Sequence, residues 1–232
     1  MTPETRLNHT LPLLLHIATT ITGLIDAISY LALGHVFTAN MTGNVVFLAF
    51  AVAGAPGLSL TRSLTALVAF LIGALIGGRA ATRLSEVSTP RWITTALSLE
   101  SALLLVATLA AINFSDSSGS LFQSYSIIVL TAFAMGIRNA TVRKMAIPDL
   151  TTTVLTLTIT GLAADSRFAG GTSPRWGRRL LAVLLMFIGA AIGTLLLRRS
   201  LVLPLAIATL LSICCVAISL KQRDGSARSA TR

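Results

Sequence analysis

The chain has 232 residues, 54% of them hydrophobic and 11% charged, with a mean hydropathy of +0.82. Soluble domains carry roughly a quarter charged residues, so a water-soluble globular fold is excluded and bilayer insertion is the direct reading. The formal charge of +10 does not mark a nucleic-acid binder: the basic residues lie just outside apolar runs, as the positive-inside bias requires, and no soluble domain remains to hold a nucleic-acid groove.

Six apolar segments approach or exceed the ~20 residues a spanning helix needs. The first, about 11–33, carries Asp26; it is too long for a signal-peptide core and lacks a small-x-small exit, so it reads as a retained span. A Thr/Asn-rich stretch, about 36–53, holds Thr38, Asn40, Thr42, Gly43 and Asn44 and is ambiguous between a short span and a re-entrant segment. The segment at about 62–80 contains Gly73 and Gly77, and that at about 92–113 carries Glu100 beside Ser98 and Ser101. Next comes about 121–140, ending on Arg138 and Asn139, then a second ambiguous, Thr-rich stretch at about 150–164 with Thr152, Thr156 and Thr160. The segment at about 179–197 holds Gly189 and Gly193, and the last, about 201–220, holds the two cysteines, Cys214 and Cys215. Neighbours on a helix diverge by about 100°, so those two thiols form no disulfide framework. A basic polar tail occupies 221–232.

Three ordered echoes relate the two halves, about 11–113 and 121–220. Gly23-Leu24-Ile25-Asp26-Ala27 matches Gly136-Ile137-Arg138-Asn139-Ala140; a Thr/Asn cluster follows each; and Phe70–Gly78 matches Met186–Thr194 around its paired glycines. With six spans and the N-terminus inside, Arg83, Arg91, Arg143, Lys144, Arg167, Arg175, Arg178 and the tail share the cytoplasmic side, and only Arg62 and the pair Arg198-Arg199 fall outside. Eight spans would erase that asymmetry. Three spans per half is an odd number, so the second half is inverted relative to the first, an architecture that recurs in transporters with sites at broken or re-entrant segments.

An ionised carboxylate facing lipid costs about 2.5–3.5 kcal/mol or more, so Asp26 faces protein or water. Its default roles are proton or cation coordination, or pairing with a basic residue, with Arg138 and Arg143 as the partners expected from the repeat. Asn139 is its uncharged counterpart. Structural and functional readings of Asp26 are evenly weighted here, whereas Glu100 reads first as a bundle-holding carboxylate. Asn40, Thr42, Asn44, Thr152 and Thr156 are candidates for a polar path, although Thr hydroxyls also back-bond to helix carbonyls and hold helices together. Gly73, Gly77, Gly189 and Gly193 form small-xxx-small packing motifs, and their repeated placement suggests that those two helices cross at a pseudo-symmetry axis. His9, His16 and His35 are too scattered for a metal site, and no Walker loop, HExxH or Gly-x-Ser-x-Gly turn occurs. Neither an enzyme nor a metal or other cofactor is expected.

At Gly23-x-x-Asp26-Ala27 and Phe37-Thr38-Ala39-Asn40-Met41-Thr42-Gly43-Asn44 the sequence resembles the YoaK family of bacterial integral membrane proteins, classed as a domain of unknown function. The likeness extends to Glu100, to Gly136-x-x-Asn139-Ala140 with its Thr-rich sequel, and to the second glycine pair. Thr156-Leu157 stands where the motif would place Thr-Gly. The resemblance implies a bacterial inner-membrane protein of about six spans and supplies no substrate. The reading is therefore a single all-α polytopic membrane domain, six spans in an inverted 3+3 repeat with two Thr/Asn-rich re-entrant or short helices, both termini cytoplasmic. Its expected function is a small secondary transporter or channel-like permease for an unidentified small solute, with Asp26 as its proton- or cation-sensitive group. The rival is a non-transporting scaffold or partner subunit. A homodimer is compatible with so few helices, but the sequence does not display one.

Overall fold

The computed structural model describes residues 3–85, 89–112, 114, 121–145, 155–173 and 175–230. Among them the chain forms eight α-helices: α1 (Pro3–Ala32), α2 (Met41–Val52), α3 (Leu60–Ser85), α4 (Thr89–Ala110), α5 (Leu121–Met145), α6 (Leu155–Ala164), α7 (Trp176–Leu197) and α8 (Val202–Ala230). Six contain apolar stretches of 20–25 residues, enough at 1.5 Å per residue to cross a hydrocarbon core of about 30 Å. The 12 residues of α2 and the 10 of α6 rise only about 18 and 15 Å, too little to cross. The ambiguous segments are thus short helices.

Helices α1 and α5 are the most enclosed. Their apolar faces (Ile21, Leu24, Ile25 and Ile28; Ile127, Ile128 and Met135) form the core with Leu104 of α4 and Leu205 of α8. Helices α3 and α7 are peripheral and leave Leu71, Ile72 and Leu75, and Phe187, Ile188 and Leu195, exposed. Apolar surface of that extent is stable only against lipid or protein.

The paired glycines pack helices together, but not each other's. Among the described residues α3 and α7 do not touch; α1 packs on α7, and α5 packs on α3. The expected crossing of the two glycine-pair helices is therefore replaced by an exchange. A methyl group on Gly23 would lie 2.3 Å from the Met186 carbonyl oxygen and 2.8 Å from the Ala190 amide nitrogen. One on Gly136 would lie 2.2 Å from the Phe70 carbonyl oxygen and 2.8 Å from the Ala74 amide nitrogen. Gly189 faces the Thr20 carbonyl as Gly73 faces the Phe133 carbonyl, each at 2.2 Å from the same hypothetical methyl. Each glycine pair needs an equally bare partner surface, and the bare surface lies in the opposite half.

Helix α4 packs against both α5 and α8. Its contact with α8 carries hydroxyl pairs: Thr94–Ser219 at 2.7 Å, Ser101–Ser212 at 2.7 Å and Thr108–Thr209 at 2.9 Å. The α4 members recur every seven residues and so share one face.

Candidate functional site: two buried polar centres on one helix

Thr19, Thr22, Asp26 and Ser29 recur at spacings of three and four along α1 and are all buried. This polar stripe runs through an apolar core and serves two centres.

The first centre is a carboxylate against a helix start. After Ala32 the chain turns through Gly34 (φ +89°) and His35 (φ 57°) and doubles back along α1. Phe37 stacks on Tyr30 with ring centroids 5.2 Å apart, and the Ala39 amide donates to Asp26 Oδ1 at 3.3 Å. Helix α2 then runs the other way, bringing Phe47 back to Phe37 and Tyr30 at 5.6 and 6.0 Å. The segment is a hairpin whose tip meets Asp26. Val36, Thr38 and Ala39 are buried, as non-helical backbone at membrane depth must be.

Asn40 is the residue capping α2, yet its side chain makes no cap bond; its amide donates to Asp26 Oδ2 instead. The carboxylate thus supplies from α1 the negative charge that a helix N-terminus favours. Asn44 clamps the descending arm: its Oδ1 accepts from the Phe37 amide at 2.9 Å, and its Nδ2 donates to the Phe37 carbonyl. Gly43 is bare because the Phe37 ring would lie 2.6 Å from any Cβ there.

The second centre is an ion pair. Arg138 Nε donates to Glu100 Oε2 at 2.9 Å and its Nη2 donates to Oε1, a bidentate pair in which both side chains are at most 3% exposed. Arg138 Nη1 reaches α1, donating to the Ala18 carbonyl at 2.9 Å and to Thr22 Oγ1 at 3.3 Å. Ser212 of α8 donates to Glu100 Oε1 at 3.0 Å. Four helices meet on one salt bridge. A crevice of about 20 Å³ between α1, α4 and α5, lined by Leu14, Ala18, Leu97 and Val142, ends on this pair; it has room for about one water.

These contacts correct several expectations. Asp26 pairs with neither Arg138, which Glu100 takes, nor Arg143, which is exposed. Asp26 stands one turn, about 6 Å of rise, beyond Thr22, so the centres are neighbours on α1 without sharing a salt bridge. Asn40 and Asn44 join Asp26; Thr42 is exposed and does not. Thr156 and Thr160 are also exposed, and the buried residue of α6 is Thr158. Thr152 lies outside the described residues. Asn139 donates to the Met135 carbonyl at 2.9 Å, and its buried Oδ1 has no hydrogen bond among the described residues. The reading of the sequence missed Thr22, Ser212 and Thr158. Thr22 could have been found from its i, i+4 spacing to Asp26.

Six membrane-length helices and charged groups buried between them define a polytopic α-helical membrane protein. The chain belongs to the family described as "Protein of unknown function (DUF1275)", which matches residues 14–218. It is similar to the UPF0700 transmembrane protein YoaK of Bacillus subtilis (strain 168), with 36% identity over 143 residues, 62% of this chain and 61% of that protein. The chain thus matches about three fifths of the length of this curated relative. No solved structure matches it.

Proposed function

We propose that this protein is a small secondary transporter or channel-like permease of the bacterial inner membrane, built as an inverted 3+3 repeat with both termini cytoplasmic. The observation that carries the reading is Asp26: a buried carboxylate held by an amide N–H and a carboxamide, with no cation beside it among the described residues. The other buried carboxylate among the described residues, Glu100, is neutralised by Arg138. A carboxylate without a counter-charge is the group in the bundle whose bonds a proton or a small cation would change. Its bonds hold the tip of a re-entrant hairpin. Neutralising Asp26 removes the negative charge from the start of α2 and weakens its bonds to Asn40 and the Ala39 amide, which is how uptake of a cation would be coupled to movement of the hairpin.

A second reading has its own support. The space beside the ion pair holds about one water, and the four-helix junction is well hydrogen-bonded, as a rigid scaffold would be. One experiment separates the two. Purified protein and Asp26→Asn are melted in detergent against a panel of small metabolites and ions. A ligand of the folded state stabilises it by about 2.7 kcal/mol at one hundred times its Kd. The transport reading expects a saturable rise in Tm that Asp26→Asn abolishes. If no solute shifts either protein and Asp26→Asn merely melts lower, the scaffold reading stands and transport is withdrawn.

A further inference from the structure

We infer a binding site for a phosphate-type anion at the hairpin between α7 and α8, built on Arg198 and Arg199. The inference stands whether or not the chain transports anything. Arg198 and Arg199 are exposed and make no ion pair or side-chain hydrogen bond among the described residues. They line an open cavity of about 490 Å³, within the size range of small-ligand pockets. Leu31 and Ala32 of α1, Phe114 and Leu201 form its other walls. Ser200 is occupied locally, its Oγ accepting from the Val202 amide at 3.1 Å at the start of α8. The start of α8 meets the ends of α7 and α1 here, so the helix dipoles oppose one another and the positive charge of the cavity is that of the two guanidinium groups.

The location makes the charge informative. Arg198 and Arg199 follow the C-terminus of α7 and line one cavity with the C-terminus of α1. In the six-span topology this is the side the positive-inside bias leaves poor in cations. Two adjacent arginines there oppose that bias, and among the described residues no acidic side chain lines the cavity. Guanidinium groups bind tetrahedral oxyanions with paired N–H donors, where a lysine offers only a point charge. A phosphate fits the basic rim, and the apolar walls suit whatever the phosphate carries. That phosphate can belong to a lipid headgroup or to a soluble anion; the chemistry recognised is the same.

The test uses the full chain in nanodiscs. In phosphatidylcholine discs, inorganic phosphate is titrated against an equal ionic strength of sodium chloride while Tm is followed. In parallel, native mass spectrometry counts phosphatidylglycerol retained from mixed discs. Both are repeated on Arg198→Gln/Arg199→Gln and on a control pair at the opposite side, Arg143→Gln/Lys144→Gln. The expected result is saturable binding of at least one probe that weakens about tenfold or more in the first double variant and persists in the control. A Tm response to phosphate identifies a soluble anion as the occupant; retention of phosphatidylglycerol alone identifies a lipid. Binding that survives Arg198→Gln/Arg199→Gln, or no binding of either probe by the wild type, overturns the site. Both substituted arginines are exposed, so unchanged Tm in phosphatidylcholine discs confirms that the variant is folded.

Discussion

At the scale of single residues, the two core carboxylates have opposite arrangements. Glu100 is neutralised and braced, whereas among the described residues Asp26 is held by neutral donors. Breaking a buried ion pair strands one charge and costs about 3–5 kcal/mol, whereas removing both charges together is often neutral. Arg138→Met and Glu100→Leu alone should therefore each lower stability in a denaturant titration by about that amount, and the double variant should recover most of it. Additive losses in the double variant would show that the pair acts through something other than mutual charge. The pairing itself was not legible in the sequence. Four arginines and two acids lie within the apolar segments, and for Arg138 the repeat favoured Asp26. What decided the matter was rotation about α5 and the approach of α4, neither of which leaves a mark in local spacing. Asp26 found its partners in Ala39 and Asn40, a separation too short for two spans to bracket and too long for one helix.

Elements were far more legible than faces. The six spans stand where apolar length placed them, because a hydrocarbon core of about 30 Å dictates that length. The lining of the short helices was misjudged because α2 starts at Met41 and α6 at Leu155, each five residues into its apolar stretch. On a helix each residue turns the face by about 100°, so Asn44 and Thr158 point inward while Thr42 and Thr156 point away. The glycine pairs read correctly as packing but with the wrong partner, since small-xxx-small motifs announce a close approach without naming what approaches. A graded test follows. Gly23→Ala and Gly136→Ala place a methyl under 3 Å from backbone atoms of the facing helix and should both destabilise strongly, by similar amounts. Gly78→Ala, with nothing within 4 Å, should leave Tm unchanged or raise stability by up to about 1 kcal/mol through helix propensity. Equal effects at all three positions would remove the crossings from the account.

For the whole molecule, inversion of the halves is a statement about sides. The loop between α2 and α3 and the loop between α6 and α7 hold equivalent places, so under inversion they lie on opposite faces of the membrane. With Cys214 and Cys215 replaced by alanine, a cysteine at Pro56 should react with an impermeant thiol reagent applied from outside. One at Ser173 should react only after the membrane is opened. Labelling of both from the same side would refute the inverted arrangement. The exchange of helices between halves also bears on how such a chain is made. Helix α1 leaves the ribosome well before α7, which carries the glycine-bearing surface it needs. Synthesis proceeds at about 5–20 residues per second, so α1 waits for roughly 7–30 s before that surface exists. Its buried carboxylate has nearer partners: Ala39 and Asn40 follow Asp26 by 13 and 14 residues. The hairpin thus supplies partners to the buried carboxylate of α1 well before the last quarter of the protein supplies the helix surface on which α1 packs.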